Sequence, residues 1–271
     1  MTGTTPSGRG ARGRRPARDL AVTTAVERHR AALRLLTPTE VPGYLSAHSG
    51  LPGRRCDLDA LTAFGNVAPP ALIRDLAHHE DEYLRACGTA ALGGLVGDLE
   101  RCVSTRTAAR RALVLAVLHA RASDPLWRVR EAAALALHRV GDRRAGSLRL
   151  LVADWIHDPD PLVRRAALAG ICEPRLLTDP RSAAVALEAC HIATRSITTL
   201  PGTDRRDPAV RALRTALGSC WSIAVAAGPE AGLPAFRELE ESTDPDACWI
   251  TRMSRTKPRL ARLLRPRPPA R

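Results

Sequence analysis

One offset constrains this chain more than any other feature of it. Asp124, Pro125, Val129, Arg130, Ala132 and Ala133 return thirty-four places later as Asp158, Pro159, Val163, Arg164, Ala166 and Ala167. Each copy opens with a turn-forming Asp-Pro and continues with apolar residues at helical spacing, which reads as the second helix of a helix pair. A pair of helices is too small to bury its apolar face alone, so repetition at this period means pairs stacked on one another. The expected fold class is all-α: a solenoid of about five helix pairs.

Read outward from these copies, the chain divides into four stretches. Residues 1–16 hold Gly, Thr, Arg and two prolines but no large apolar residue, too little to offset the entropy of ordering, so a disordered basic arm is expected. Residues 17–68 read as an N-terminal helical cap: a helix from near Ala17 to Thr37-Pro38, a Pro- and Gly-dense stretch from Val41 to Arg55 with at most one short helix, and a short helix from Asp57 to Ala68. Residues 69–251 carry the repeats, and residues 252–271 read as a disordered basic tail.

Within the repeats, Pro69-Pro70 opens a helix whose stripe is Leu72, Ile73, Leu76 and Ala77, and Glu80-Asp81-Glu82 opens its partner. The second pair runs from Ala108 to Ala122 and from Pro125 to Val140. Its first helix is apolar on almost every side, through Leu113, Val114, Leu115, Val117 and Leu118, and is expected to be fully buried. In the third pair Leu148, Leu151, Val152, Trp155 and Ile156 share one face, which places Trp155 in the core. A fourth pair joins Ala183–Ile197 to the helix led by Asp207-Pro208 through a longer polar connection, and a fifth runs from Pro229 into Asp244-Pro245 and beyond.

Charge is concentrated at the ends. Of the net +13, residues 1–20 carry +4 and residues 252–271 carry +8, while the 28 basic and 27 acidic residues between them nearly cancel. A near-neutral body argues against a polyanion-binding groove and leaves weak nonspecific nucleic-acid binding to the tails. The seven cysteines are odd in number, widely spaced and free of any Cys-x-x-Cys pair, so they read as small buried side chains in a reducing compartment, with no metal and no cofactor expected. No run of about twenty apolar residues occurs, so no membrane span is expected and the location reads as cytoplasmic.

The pattern Asp-Pro-x-x-x-Val-Arg-x-x-Ala-Ala resembles HEAT repeats, over roughly residues 69–255. The resemblance implies a superhelix whose second helices line a concave, partner-binding surface. It also implies a ladder of hydrogen bonds between neighbouring units, built from Asp and Arg six residues apart. Asp124 with Arg130 and Asp158 with Arg164 match those positions, and Arg85 and Arg211 occupy the arginine position in relaxed copies. HEAT-like DNA glycosylases of alkylation repair are similar in fold and place Trp, an acid and Arg on the concave face, which Trp127, Glu131, Arg164 and Arg165 would imitate.

From the residues themselves, Trp127 points almost opposite Val129 at about 100° per residue, with Glu131, Ala134 and His138 following it on one face. Trp127, Glu131, His138 and Arg165 are therefore the candidate partner-binding residues, although the same placement also suits a ring packed on a neighbouring unit. The sequence offers no spaced nucleophile, base and orienter and no phosphate-cradling glycine loop. The expectation is a non-catalytic scaffold for a protein partner, with a nucleic-acid binder as the alternative.

Overall fold

Aspartate and proline start most of the helices. Asp57, Asp81, Asp160, Asp179, Asp207 and Asp244 each cap a helix by accepting a backbone N–H from its first turn, which satisfies donors the helix leaves unpaired. Proline stands in the first turn of eight α-helices among the described residues, where its missing N–H costs nothing. The structure is a computed structural model that describes residues 17–53, 55–100 and 104–265, with side chains from residue 25 onward.

The chain enters through α1 (Ala17–Leu35), α2 (Val41–Ala47) and α3 (Leu58–Val67). Five pairs follow: α4 (Pro70–Ala77) with α5 (Glu82–Leu99), α6 (Thr105–Ala122) with α7 (Trp127–Arg143), α8 (Ala145–Trp155) with α9 (Pro161–Ile171), α10 (Pro180–Thr198) with α11 (Pro208–Ala227), and α12 (Pro229–Glu240) with α13 (Pro245–Arg255). A last helix, α14 (Pro258–Leu263), folds onto α11 and α13. No strand occurs among the described residues.

Packing separates the helices into two layers. The second helices form a continuous inner stack in the order α3, α5, α7, α9, α11, α13, each touching the next. From α6 onward each outer helix rests on its own inner partner and on the inner helix before it. This is the one-dimensional neighbour-to-neighbour packing of a solenoid. The inner stack is tight because small residues let backbones meet: a Cβ added at Gly93 would lie 2.0 Å from the Ala136 carbonyl oxygen, so α5 and α7 touch main chain to main chain there.

The core runs along the interface between the layers. Trp155 is 4% exposed, as its helical phase predicts. Trp221 is fully buried between the His191 and Phe236 rings and donates its indole N–H to Thr194 Oγ1 at 3.0 Å. That pairing answers the requirement that a buried indole N–H find an acceptor.

Two expectations are corrected here. The first helix of the second pair, α6, is not fully buried: only Val114, Leu118 and Ala122 are, and Leu113 is 69% exposed. An outer helix is covered on one side only, and the eight-residue α4 leaves a hollow against α6 lined by Arg74, Leu95, Leu113 and Val117. Residues 252–265 are not a disordered tail. They complete α13 and form α14, whose Leu260 is fully buried; one leucine among arginines is enough to seat a short helix on the end of the stack. The expected arm at 1–16 and the final residues 266–271 lie outside the described residues. Among the described residues no helix is long and apolar enough to cross a membrane.

Candidate functional site

The Asp-Pro motif does two things at once. Asp124 accepts the Leu126 N–H at 3.0 Å and Asp158 accepts the Asp160 N–H at 2.8 Å, so the thirty-four-residue offset in sequence is an offset between matching turns. Asp244 does the same for Asp246, at 2.9 Å. The other carboxylate oxygen of each faces back to the preceding unit and takes a cation from it, and Asp124 takes a second from its own outer helix. Asp124 receives Arg85 at 3.2 Å and Arg121 at 3.1 Å, Asp158 receives His119 at 2.7 Å, and Asp244 receives Arg205 at 2.6 Å.

The ladder therefore exists, with fewer of the expected rungs. Arg130 does not reach Asp158; its guanidinium turns back to the Asp124 and Pro125 carbonyl oxygens at 2.6 and 2.9 Å, bracing its own turn. Arg164 makes no bond to Asp158 or Asp244, and its Nε is buried without a partner. Arg211 shows no side-chain hydrogen bond among the described residues, and Arg205, from the connection before α11, occupies the acid of the next unit in its place. His119 lies outside the six-residue spacing, on an outer helix, and Arg205 stands six before Arg211 where the pattern wants an acid, so the spacing marked neither as the incoming cation.

A groove crosses the face of the inner stack that the outer helices leave free. Its first chamber, about 360 Å³, takes its walls from α3 and the segment before it, α5, α7 and α9. Leu61, Ala86, Leu135 and Ala169 make it apolar, and Trp127, Glu131 and His138 line it together. Trp127 is 51% exposed while Val129, two residues on, is fully buried. The ring is held at the rim by the Arg128 guanidinium, 4.7 Å from its centroid, a cation–π contact; Arg128 is itself anchored to Glu82 at 2.8 Å. Glu131 is bound by Arg165 of α9, so all four candidate contact residues border or brace one chamber.

His138 marks the floor where this chamber meets a second. Its Nε2 lies 2.9 Å from the Ala169 carbonyl oxygen, which fixes Nε2 as the protonated nitrogen. Burial pulls its pKa below the usual imidazole value, so the ring is neutral at pH 7. The second chamber, about 330 Å³, continues along α7 and is lined by Leu61, Asn66, Arg139, Asp142, Arg143 and Arg175. Arg143 pairs with Asp98 at 2.7 Å and Arg175 with Asp142. Arg139 has no carboxylate among the described residues: it donates to the Thr62 carbonyl at 2.9 Å and to Asn66 Oδ1 at 3.3 Å, at the C-terminal end of α3.

Sequence reasoning missed one further cluster. The Tyr44 hydroxyl lies 2.8 Å from His29 Nδ1, and His29 Nε2 lies 3.4 Å from Asp57 Oδ2. Burial, with the Asp57 carboxylate nearby, pushes the Tyr44 phenol up and keeps it neutral. Since Asp57 also caps α3, the relay ties α1, α2 and α3 together, and neither groove chamber reaches it. Cys87, Cys172, Cys190 and Cys220 are buried. The Cys190 thiol beside Cys172 and the Cys172 thiol beside Cys220, each together with burial, hold Cys172 and Cys220 well above the ordinary thiol range, so these are packing groups rather than thiolate nucleophiles. Among the described residues no three His, Cys, Asp or Glu side chains converge to hold a metal ion.

No protein-family model matches the sequence, and no curated protein matches it. Among solved structures, a designed armadillo repeat protein is similar at 14% identity over 80% of this chain and 98% of its own, with a TM-score of 0.30. An engineered protein is similar at 17% identity over 72% of this chain and 52% of its own, with a TM-score of 0.28. At those scores the likenesses add nothing to the helix-on-helix contacts, and it is by its own inner stack from α3 to α13 that the chain is an all-α helical-repeat solenoid.

Proposed function

We propose that this chain is a non-catalytic, cytoplasmic scaffold that holds a partner protein in the groove along α7. One observation carries the reading: a half-exposed Trp127, braced from the side by Arg128, stands at the rim of an apolar chamber. Aromatic side chains at the edge of apolar pockets dominate protein interfaces. The electrostatics support a protein over a nucleic acid. Arg128, Arg143, Arg165 and Arg175 are each matched by a carboxylate, which leaves too little free positive charge to track a phosphate backbone. For the same reason the glycosylase-like alternative loses support: Arg165 and Glu131, two of the side chains it needs on the face, are spent on each other.

The test is capture of a partner by immobilised full-length protein at moderate salt, with and without nuclease. The reading expects a protein that is retained after nuclease treatment and lost on Trp127→Ala, while the melting temperature of that variant stays close to wild type. Capture abolished by nuclease would move the chain to the nucleic-acid class.

A further inference from the structure

Resting on that scaffold reading, the groove also states what kind of segment fills it. Along α7 the residues bordering the apolar chamber centre about seven positions before those bordering the second chamber, which is about 10 Å at 1.5 Å per residue. Roughly three extended residues cover that distance. The apolar chamber has room for a large side chain, and its lining of Leu58, Leu61, Ala132 and Leu135 beside the Trp127 ring suits an aliphatic or aromatic group.

The second chamber holds Arg139, whose guanidinium has no acid of its own among the described residues; of the groove's other arginines only Arg55, exposed at the first chamber, also lacks one. Arg139 lies across Gly65, where an added Cβ would come within 2.6 Å of Nη1, so α3 leaves room for the head group. Its two acceptors, the Thr62 carbonyl and Asn66 Oδ1, are neutral, and burial pulls its pKa down, with Arg143 adding to the effect. A half-buried cation without a counter-charge gains from an incoming carboxylate. The chain's own basic ends do not fit: residues 1–16 contain arginines and no acid, and residues 266–271 likewise. One half-buried cation of this kind, with four neutralised arginines and the exposed Arg55 around it, suits a carboxylate rather than a polyphosphate run.

We infer that the groove binds an extended segment of an acidic partner protein, with a bulky apolar residue in the Trp127 chamber and, about three residues away, an Asp or Glu on Arg139.

A random peptide library displayed on phage and panned on the full chain tests this, followed by anisotropy titrations of the recovered peptides. The expected pool carries a bulky apolar residue and an acid at that spacing. Changing the acid to its amide weakens binding about tenfold, the scale of a charge-assisted hydrogen bond. Arg139→Gln, which keeps a donor for the Thr62 carbonyl, removes the preference for acid over amide, and Arg139→Lys restores part of it. Melting temperatures of both variants establish that the fold is intact. Peptides lost on Trp127→Ala but indifferent to Arg139→Gln overturn the acidic-partner inference and leave the scaffold reading standing. Peptides indifferent to both variants overturn the groove itself. A pool without a shared motif, an oligonucleotide that displaces the peptide, or a self-associated chain that Trp127→Ala renders monomeric each overturns the inference as well.

Discussion

Arg85 on one inner helix reaches Asp124 at the head of the next, Nη1 to Oδ2 at 3.2 Å, and the carboxylate is closed to solvent. The same carboxylate takes Arg121 and the Leu126 N–H, so one side chain starts α7, ties it to its outer partner and joins it to the preceding unit. Removing it strands two partly buried cations and an amide.

Asp124→Ala is therefore expected to lower stability by about 3–5 kcal/mol, the cost of breaking a buried ion pair. Arg164→Ala, at the motif's arginine position in the next unit but without an acid partner, should cost about 1 kcal/mol or less. Chemical denaturation of both variants checks the pair; a loss for Arg164→Ala as large as that for Asp124→Ala would contradict a ladder carried by the aspartate.

Neighbouring glycines of α5 separate close packing from open space. A Cβ at Gly93 would collide with the Ala136 carbonyl, whereas one at Gly94 would meet nothing within 4 Å. Gly93→Ala is expected to lower stability by about 1–3 kcal/mol as α5 and α7 are forced apart. Gly94→Ala should raise it by about 0.5–1 kcal/mol, because Ala loses less backbone freedom in a helix. Thermal melts of the two variants in parallel give the answer.

The repeat offset made the inner helices legible because Asp-Pro and the Ala-Ala step stand for local requirements, a turn and a thin helix face. Trp127 was legible for a similar reason, since helical phase alone sets it opposite Val129. Arg139, Arg128 and Cys56 were not, because what places them in the groove is α3 and the segment before it folding across α5 and α7, a contact between residues some seventy positions apart. The ladder was misassigned for a related reason: the spacing identifies acid and base within a unit, whereas the cation that arrives is chosen between units, and His119 and Arg205 are nearer than Arg130 and Arg211.

His138 gives the groove a pH dependence. Its folded pKa lies below the ordinary value of 6.5 because burial disfavours the charged ring, with Glu173 opposing and Arg175 adding to the shift. In the unfolded chain the ring takes up a proton near 6.5, so its contribution to stability is complete above that pH and is lost as pH falls toward the folded pKa. The slope of melting temperature against pH just below 6.5 should flatten in His138→Gln, which keeps a donor for the Ala169 carbonyl. An NMR titration should find His138 ionising below pH 6.5.

The basic C-terminal end sits on helices, so its charges can be removed without cutting the fold. Arg252, Arg255, Arg259 and Arg262 are exposed, and among the described residues only Arg255 of these four has an acid partner, Glu240 at 2.9 Å. The full chain is expected to bind duplex DNA weakly and without sequence preference. Replacing these four arginines by Gln should lower the salt slope by roughly 0.9 for each phosphate no longer neutralised while the melting temperature holds. Filter binding across a salt series measures both affinity and slope.

Hydrogen exchange on the full chain, alone and with its captured partner, bears on the groove most directly. Alone, the amides of α5, α7 and α9 should exchange most slowly, because each of these helices is covered on both sides by a neighbour. With partner bound, protection should rise along the first half of α7 and in residues 55–61, and stay unchanged on α8, α10 and α12. Protection that appears instead on the outer helices or across residues 252–263, with α7 unaltered, would contradict a partner held in the groove beside Trp127.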